Sequence, residues 1–482
     1  MHRAGLRCLP FEVLATMVRL KAILVEDELA TADATRSALE EIGFQVFHYE
    51  DAVSALAGDA TSGTLVDLLV LDRRLPKVVG DEPSDSVGDE LLDSMLLQHP
   101  DLVSIVFSGH TGFEHSQFVY ADRGNIAMAN GSIQLDRVRL FGKAQSIEFD
   151  EYARKVYQIV STLDDIQILT ETSLNEFEKR LVRRVAVEFA GLSVGVTPLK
   201  GGLTEAKVWL CNIEGPEGPS ARVVAKEQSK LPAAGGFQAL CPAHLTAGTM
   251  VIVQGFCGGR IATAQQLAGG DPISLLDLLA SDPESASAVV GVVTRGLSEM
   301  VGGQPVNIPV QEVGEAYLAW DGARNRAASF GLTLPLGSKI ALTTRSAQHG
   351  DLHPGNVLVQ DGHPVIIDFD SQTTGSELVD GISLLLGPIF HRDSVRSKAT
   401  WPSVDQCRLF LTAEFWVDCD ALGYFETVAE WLADRQRSPR ELAAVVAAYS
   451  LRQLRYHDVV SDNLTRGRAL ALVEWAISSL NE

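Results

Sequence analysis

The first third of the chain alternates between short apolar runs and amphipathic segments. The apolar runs are Lys21–Val25, Phe44–Tyr49, Leu65–Leu71, Val103–Phe107 and Val138–Phe141. Several are almost continuously apolar, which is typical of strands covered on both faces of a parallel sheet. After the first run, Ala34, Leu39 and Ile42 recur at helical spacing, and Gly43 is placed to end the helix. This alternation predicts a doubly wound α/β domain.

A helical pattern then fills the stretch Phe149–Ala190. Its second half carries an apolar stripe that follows Ser173 and Glu176, a pair with the spacing of a capping box, and Gly191 is placed to end the helix. We interpret the stretch as a helical connector between domains. Its arginine-rich middle, Arg180–Arg184, forms either a solvated face or a contact between domains.

Beyond the connector the pattern is first β-like and then helical. Short β-like runs separated by turns rich in glycine and proline lie at Val194–Leu199, Ala206–Ile213 and Ala221–Glu227. The run Ile261–Leu279 resembles a hinge that leads into a first long helix. From Ser274 the chain is predicted to be mainly helical, with one loop-and-strand block at His349–Phe369. A small β-rich lobe followed by a larger helical lobe is therefore expected.

A chain of 482 residues is too long for one hydrophobic core. We predict an α/β domain at 21–149, a helical connector at 150–190, a small lobe at 191–272 and a helical lobe at 273–482. Residues 1–20 are expected to be a disordered extension or a mis-called start, because Met17 is an equally good first residue.

Composition and charge narrow the class of protein. Apolar residues make up 46% and charged residues 21% of the chain, and no apolar run is long enough to span a bilayer. The six cysteines include no Cys-x-x-Cys pair, which argues against a zinc site or a disulfide framework and favours the cytoplasm. A net charge of −22 disfavours binding to nucleic acid or to an anionic membrane.

Polar residues follow four strands of the predicted α/β domain. Glu26 and Asp27 end the first apolar run, Asp72 and Ser108 end later ones, and Lys143 follows the last. Side chains at the carboxyl ends of parallel strands converge, and converging carboxylates suit Mg²⁺. Asp72 can then act as a nucleophile toward a phosphoryl group whose charge the metal neutralises.

At these residues the sequence resembles the response-regulator receiver family, through ILVEDE, VLDRRLP, IVFSG and FGKA in order. The resemblance implies a flavodoxin-like fold and a sensor histidine kinase or phosphotransfer protein as partner. It implies that Asp72 is the phosphoacceptor and a metal ligand, beside the metal-binding acids Glu26 and Asp27 and the carbonyl of Arg74. Ser108 is then the switch hydroxyl, and Lys143 binds the phosphate.

Three features depart from the receiver pattern. The segment between Pro76 and Gly88 is longer than usual and acidic, and the segment between Ser108 and Lys143 is also longer than usual. Leu140 stands where many receivers carry an aromatic switch residue. These departures concern how phosphorylation is read out rather than its chemistry.

A second set of polar residues lies in HGDLHPGNVLVQ, which begins at His349 and is followed by an apolar strand and Asp368. This is the pattern of a β-hairpin with polar groups at both ends. Phosphoryl transfer needs a carboxylate to orient the acceptor hydroxyl and oxygen ligands for the metal that bridges the phosphates. Asp351 meets the first need, and Asn356 and Asp368 meet the second.

This block resembles the aminoglycoside phosphotransferase and choline kinase family, most strongly at His349–Asp370. The resemblance implies a two-lobed, α+β, protein-kinase-like fold, ATP as phosphoryl donor, Mg²⁺, and a hydroxyl acceptor that the sequence does not identify. By it Asp351 is the catalytic base, Asn356 and Asp368 bind the metal, His349 shapes the loop, and Asp380 is a structural aspartate.

The small lobe matches this family less well. Gly201 and Gly202 lie in a possible phosphate-covering turn, and Lys226 is either an ATP-binding lysine or an exposed edge residue. The family pairs that lysine with a helix glutamate, yet no glutamate occurs between Glu227 and Glu284. Two functions therefore stay open, a receiver-controlled phosphotransferase or a receiver fused to a pseudokinase that binds a nucleotide or a partner. A transcription factor is disfavoured, because no basic helix-turn-helix is visible.

Overall fold

The computed structural model describes residues 20–62, 64–109, 123–129, 131–199, 207–228, 236–246, 250–267, 272–300, 302–335 and 337–481. The predicted extension (apart from Leu20) and the predicted turn at Gly201 and Gly202 lie outside these ranges. The chain forms two compact units. The first comprises Met1–Leu199, Ala206–Ser229 and Val251–Ala264, and the second comprises Lys200–Glu205, Lys230–Met250 and Gln265–Glu482.

The first unit contains a five-stranded parallel sheet in the order β2-β1-β3-β4-β7. Its strands are β1 (Lys21–Val25), β2 (Gln45–Tyr49), β3 (Leu68–Leu71), β4 (Val103–Ser108) and β7 (Val138–Gly142). If the inserted hairpin described below is left out of the count, the order is 2-1-3-4-5, that of a flavodoxin-like doubly wound fold. The predicted receiver fold is therefore confirmed by its topology.

Helices cover both faces of this sheet. They are α1 (Leu29–Ile42), α2 (Ala52–Ser62), α3 (Asp85–Gln98) and α4 (Ser146–Ser161). One core contains Leu39 of α1 with Phe149 and Val156 of α4, and the core on the other face contains Leu91 and Met95 of α3. The boundary predicted at residue 149 falls inside α4, whose buried stripe belongs to the sheet that precedes it.

A β-hairpin lies in the long segment between β4 and β7. It consists of β5 (Asn125–Met128) and β6 (Ile133–Asp136), which pair antiparallel. Ile126, Met128 and Leu135 of this hairpin are buried in the same core as α4. The extra length noted in the sequence therefore adds apolar surface to the receiver core.

The first unit also contains most of a six-stranded sheet in the order β12-β13-β11-β10-β9-β8. Its strands are β8 (Gln167–Leu169), β9 (Ser193–Pro198), β10 (Val208–Gly215), β11 (Gly218–Gln228), β12 (Met250–Val253) and β13 (Ile261–Leu267). The three β-like runs of the small lobe are confirmed as β9, β10 and β11. Strand β8 was not predicted, because three residues are too few to show a strand period inside a helical pattern.

Helix α5 (Glu176–Glu188) packs on this sheet through Leu181 and Val185. It begins at Asn175, whose side chain accepts a hydrogen bond from the Glu178 amide in a capping box. The capping box predicted at Ser173 and Glu176 was therefore wrong by two positions. The stripe behind it was predicted correctly, since the apolar period does not depend on the cap.

The parallel-sheet domain and the six-stranded sheet share buried contacts within the first unit. Phe256, in the loop between β12 and β13, lies in the receiver core. Asp101 of the receiver accepts hydrogen bonds from the backbone amides of Cys257 and Gly259. Arg180 of α5 forms a buried ion pair with Asp67, which directly precedes β3, at 2.8 Å. Of the two interpretations of the arginine-rich stretch, the contact between domains is the one observed.

The second unit is mainly helical around one large core. Its helices are α6 (Phe237–Leu240), α7 (Leu275–Ser281), α8 (Pro283–Ser298), α9 (Val310–Gly314), α10 (Trp320–Ser329), α11 (Val379–Phe390), α12 (Val404–Cys407), α13 (Leu422–Arg435), α14 (Pro439–Gln453), α15 (His457–Ser461) and α16 (Asn463–Asn481). No helix among the described residues has the length and apolar character that crossing a membrane requires.

Short strands, in one three-stranded sheet and two strand pairs, interrupt the helices of the second unit. They are β14 (Ile273–Ser274), β15 (Val306–Pro309), β16 (Ile340–Thr343), β17 (Arg345–Gln348), β18 (Val357–Gln360), β19 (His363–Ile366) and β20 (Thr373–Ser376). Strands β18 and β19 form the predicted hairpin. The prediction of a single break in the helical pattern was wrong, because β15, β16, β17 and β20 also pair.

Candidate functional sites

The receiver strands bring three charged side chains into contact. Glu26 follows β1, Asp72 follows β3 and Lys143 follows β7. The Lys143 ammonium lies 2.7 Å from Asp72 Oδ2 and 2.9 Å from Glu26 Oε2. These residues come together because parallel neighbouring strands end at the same edge of the sheet.

The charges at this edge are only partly balanced. Burial raises the pKa of Glu26 to about 7, against the opposing effect of Lys143. Burial also raises the pKa of Asp27. Burial alone would lower the pKa of Lys143, but its hydrogen bonds to Asp72 and Glu26 outweigh burial and raise it. The site thus holds more carboxylate than its single lysine neutralises.

The other two predicted receiver groups lie at the same edge. Ser108 is the last residue of β4, and its carbonyl accepts a hydrogen bond from the Lys143 amide at 3.0 Å. The Arg74 amide donates to Asp72 Oδ1 at 3.1 Å. Among the described residues no three His, Cys, Asp or Glu side chains form a ready-made metal cluster. The carboxylates present are nonetheless of the type that Mg²⁺ binds while keeping several waters.

The predicted catalytic hairpin of the second unit is held by backbone and side-chain hydrogen bonds. A short 3₁₀ turn at Pro354–Asn356 precedes β18. Asn356 Nδ2 donates to the Asp351 carbonyl at 2.9 Å, and the Ile367 amide donates to the Asn356 carbonyl at 3.0 Å. Because the Asn356 side-chain nitrogen makes this hydrogen bond, its side-chain oxygen is the atom that could coordinate Mg²⁺. Asp368, with φ +68°, follows directly after Ile367.

Asp380 fixes the start of this loop. Its two carboxylate oxygens accept from the amides of His349 at 2.8 Å and Gly350 at 2.9 Å. His349 Nε2 lies 2.9 Å from the Ile367 carbonyl, so the histidine joins the loop to the end of β19. Gly350 has φ +79°, and a Cβ there would collide with the Ser371 carbonyl oxygen. The loop that carries Asp351 is therefore constrained from both sides.

Asp351 pairs with an arginine that the sequence did not single out. Arg452 Nη1 on α14 lies 3.2 Å from Asp351 Oδ1. Burial opposes ionisation of Asp351, but His353, Arg452 and His349 together outweigh burial and lower the pKa of Asp351. Because burial lowers the pKa of His353 to about 4, that imidazole is neutral at pH 7. Arg452 is thus the lasting charge that keeps Asp351 ionised.

Lys226 lies on β11 opposite Val208 of β10. Side chains alternate along a strand, and Val223 and Ala225 of β11 pack in one core with Leu181 of α5. Helix α5 therefore covers the face opposite Lys226, and its buried Glu178 pairs with Lys207 instead. Among the described residues between β11 and β12, the only α-helix is the four-residue α6. Lys226 remains a predicted nucleotide-binding residue.

One family model matches part of the second unit. Residues 318–404, which contain the catalytic hairpin and Asp380, match the family model described as "Phosphotransferase enzyme family". This match confirms the resemblance of the second half of the chain to a phosphotransferase family. A comparison with curated proteins found no match.

Solved structures similar to this chain include both kinds of domain. A choline/ethanolamine kinase family protein from Mesorhizobium loti is 14% identical, with 60% of this chain and 88% of that chain covered and a TM-score of 0.31. A response regulator receiver domain protein from Clostridium thermocellum is 15% identical, covering 30% and 98%, with a TM-score of 0.23. A CheY-like receiver domain protein from Methanospirillum hungatei is 20% identical, covering 29% and 98%, with a TM-score of 0.21.

Proposed function

We propose that the second unit transfers a phosphoryl group from ATP to a hydroxyl acceptor, and that the receiver in the first unit controls this activity. The observation that carries the catalytic part is the loop that Asp380 holds through the amides of His349 and Gly350. A phosphotransferase needs positioned carboxylate and amide oxygens more than covalent chemistry, and this loop supplies them.

Each group in the loop has a role in this proposal. Asp351, kept ionised by Arg452, accepts the hydrogen bond of the acceptor hydroxyl and orients it toward the phosphoryl group. Asn356 and Asp368 would hold Mg²⁺, which when bound neutralises charge on the phosphates. Because its pKa is lowered, the Asp351 carboxylate is a weak base. We therefore assign Asp351 mainly to orienting the acceptor hydroxyl, rather than to removing the hydroxyl proton.

The test is release of ADP from ATP with Mg²⁺ and a panel of hydroxylated acceptors. We expect wild type to turn over with at least one acceptor, and Asp351→Asn to lose that turnover while still binding ATP. His363→Ala is the matched control, since His363 is exposed on β19 of the same hairpin. Turnover that survives in Asp351→Asn would contradict the assignment.

We further propose that Asp72 accepts a phosphoryl group from a sensor histidine kinase or a phosphotransfer protein. A carboxylate oxygen of Asp72 attacks the phosphorus, an acyl phosphate forms, and the donor imidazole leaves with its electron pair. Lys143, 2.7 Å from Asp72, would pair with a phosphoryl oxygen, and Ser108 would hydrogen-bond another. Glu26, Asp27 and Asp72 itself would hold the Mg²⁺ ion.

The receiver reaction is tested with a small-molecule phosphoryl donor and intact-mass measurement. Wild type should gain the mass of one phosphoryl group. Treatment with base should remove that group, because an acyl phosphate is hydrolysed in base. Asp72→Asn should gain none, whereas Asp33→Asn, which removes an exposed acid on α1, should behave as wild type. A phosphoryl group that is still gained by Asp72→Asn would contradict the assignment of Asp72 as the phosphoacceptor.

Control of one activity by the other is supported by the contacts inside the first unit. Phe256 lies in the receiver core, and Asp101 accepts from the Cys257 and Gly259 amides of the loop that leads into β13. We therefore expect a change in the receiver core to be transmitted to the six-stranded sheet through these contacts. We expect ATP turnover to differ between protein treated with a phosphoryl donor and untreated protein, and Asp72→Asn to abolish that difference.

The alternative function is a receiver fused to a nucleotide- or partner-binding pseudokinase. It is favoured by the absence of glutamate between Glu227 and Glu284 and by the position of α5 on the face opposite Lys226. ATP binding that depends on Lys226, without Asp351-dependent turnover for any acceptor, would select this alternative.

A further inference from the structure

The β5–β6 hairpin is joined almost directly to the strand that leads to the predicted phosphate-binding lysine. Arg137 alone separates β6 from β7, and Lys143 directly follows β7. The Arg137 amide donates to the Gly124 carbonyl at 3.0 Å, and the Ser104 amide donates to the Arg137 carbonyl at 2.9 Å. The hairpin is therefore fastened to one end of β7, while Lys143, 2.7 Å from Asp72, stands at the other end.

Strand β7 lies at the edge of its sheet. Among the described residues it is the last strand in the order of the five-stranded sheet, where it pairs with β4. An inner strand is hydrogen-bonded on both sides, whereas an edge strand is bonded on one side. A displacement of Lys143 toward a phosphoryl oxygen would therefore move β7 and the attached hairpin at a lower free-energy cost than it would move an inner strand.

Two aromatic side chains connect the predicted phosphate-contacting residues with the core that contains the hairpin. Phe107 directly precedes Ser108, and Phe141 lies two residues before Lys143. Both aromatic rings are buried in the same core as the apolar side chains of the hairpin. Leu140, which stands in the place of an aromatic switch residue, is buried in the core on the other face. A shift at the phosphate-binding edge would thus reach the face of the sheet on which the hairpin packs.

A buried carboxylate ties the hairpin to the six-stranded sheet. The Ala129 amide donates to Glu188 Oε1 of α5 at 3.1 Å. Glu188 pairs with Arg184 at 2.7 Å, and their side chains are 5% and 1% exposed. Arg184 in turn donates to the carbonyls of Gly255 at 2.9 Å and Gln254 at 3.2 Å. Glu188 therefore links the end of β5 to the loop between β12 and β13.

The hairpin also touches this loop directly. Gly255 has φ +81°, and a Cβ there would lie 2.8 Å from the Ala127 carbonyl oxygen and 2.9 Å from Ile126 Cγ2. The next residue, Phe256, is buried in the core that contains Ile126 and has φ +57°, a strained conformation for a bulky side chain. Because the contact leaves no room for a further atom, the hairpin cannot move toward the loop without displacing it.

We propose that the β5–β6 hairpin is the output element of the receiver. Phosphorylation of Asp72 shifts β7 together with the hairpin, and the contacts at Glu188 and Gly255 pass this shift to residues 254–259 of the six-stranded sheet. The inference rests on the proposed phosphorylation of Asp72 and names the route by which it is read out. The departures of this receiver, a longer segment before Lys143 and a leucine in place of the aromatic switch, are then parts of one device.

The experiment measures hydrogen exchange on the full chain, with and without acetyl phosphate and Mg²⁺. Exchange is read by mass spectrometry on peptides that cover Ala129 and residues 254–259, and labelling is read by intact mass. We expect phosphorylation of wild type to change exchange in both peptides about fivefold or more, the size typical of coupling between two sites. Asp72→Asn should show no change. This readout does not depend on ATP turnover by the second unit.

Two variants interrupt the proposed route at different points. Glu188→Ala removes the acceptor of the Ala129 amide, so that amide should exchange about tenfold to a hundredfold faster, the effect of losing a charged hydrogen bond. Its labelling at Asp72 should stay as in wild type, but the donor-dependent change at residues 254–259 should be lost. Glu188→Gln keeps an acceptor oxygen and should retain part of that change, which also provides a readout if Glu188→Ala does not fold.

Gly255→Ala forces the hairpin and the loop apart, and it should likewise label normally and lose the donor-dependent change. Gly131→Ala is its matched control. Gly131 lies at the start of β6 with the same φ of +81°, but the nearest atom to its added Cβ is Gln134 Nε2 at 3.8 Å. Gly131→Ala therefore carries the backbone strain without the collision, and it should keep the donor-dependent change of wild type.

The outcomes separate this inference from the proposed phosphorylation. Labelling of wild type without a change in exchange at residues 254–259 would overturn the inference and leave the phosphorylation standing. A change of wild-type size in both Glu188→Ala and Gly255→Ala would also overturn it, and would leave the Asp101 contact as the route. Absence of labelling in wild type would overturn the phosphorylation itself, and the role of the hairpin as its output with it.

Discussion

Arg180 of α5 and Asp67 at the start of β3 form an ion pair of 2.8 Å in which both side chains are 4% exposed. Asp67 also accepts from the Lys21 amide at 2.9 Å. Removal of one partner leaves the other charge buried without compensation, so Asp67→Ala should lower the free energy of unfolding by about 3–5 kcal/mol. Urea denaturation of the full chain, read as the first transition, measures the change.

A second ion pair between the receiver and α5 provides the control. Lys21 and Glu176 lie 3.2 Å apart, but the Glu176 side chain is 53% exposed. Glu176→Ala should therefore cost less than about 1 kcal/mol. An equal loss of unfolding free energy in Asp67→Ala and Glu176→Ala would show that burial does not determine how much each ion pair contributes. Replacing Asp67 and Arg180 together with apolar residues should recover much of the loss.

Asp101 should slow hydrogen exchange at the two backbone amides that donate hydrogen bonds to it. Its carboxylate bonds the Cys257 amide at 2.6 Å and also the Gly259 amide. Loss of a charged hydrogen bond is worth about 1.5–3 kcal/mol, which corresponds to amide exchange about tenfold to a hundredfold faster. Hydrogen exchange of Asp101→Ala measures this at Cys257 and Gly259, with Asp93→Ala as an exposed control.

The same Asp101 variant separates phosphorylation from its readout. Asp101 is remote in sequence from Asp72, and no contact between the two is needed for labelling. We expect Asp101→Ala to label at Asp72 as wild type does, while the donor-dependent difference in ATP turnover shrinks. A full regulatory difference in this variant would exclude the Asp101 contact as the route of control.

Mg²⁺ should stabilise the first unit through the receiver carboxylates. Glu26 and Asp72 share one lysine, and a bound cation would relieve the repulsion between them. At a free Mg²⁺ concentration a hundred times its dissociation constant, stabilisation of about 2.7 kcal/mol is expected. The Mg²⁺-induced rise in melting temperature should be reduced in Glu26→Gln and absent in Asp72→Asn. A rise of wild-type size in Asp72→Asn would exclude this metal site.

The sequence was sufficient for the parts of the sites that follow directly from local pattern. Asp72, Ser108 and Lys143 each end an apolar strand, and parallel strands end at one edge, so their convergence needed no structure. The hairpin around Asn356 was equally readable from its turn residues. In these places the local pattern and the tertiary arrangement carry the same information.

Arg452 could not be predicted, because nothing in its own helix marks it. It reaches Asp351 only because α14 packs beside the catalytic loop, and that packing is set by the whole core of the second unit. Strand β8 and the cap at Asn175 were missed for a related reason. Both are decided by which neighbour supplies hydrogen bonds, and short polar segments carry little periodic signal.

The catalytic loop should be intolerant of a side chain at Gly350. This glycine has φ +79°, and a Cβ would meet the Ser371 carbonyl oxygen, so the backbone next to Asp351 must move. A misplacement of about 1 Å costs about a hundredfold in rate when a group must be aligned for reaction. Gly350→Ala should therefore lose at least that much ADP release, and thermal unfolding should show a destabilised second unit.

Gly362 at the tip of the same hairpin is the matched control for Gly350. It also has φ +79°, but no atom lies within 4 Å of an added Cβ. Gly362→Ala should cost only the strain of a left-handed backbone, about 1–2 kcal/mol, and should keep ADP release close to that of wild type. Because the two positions share their φ, the difference between the variants isolates the collision with Ser371. Equal losses of stability and of turnover in both would show that backbone strain alone, and not the packing of the loop, fixes Asp351.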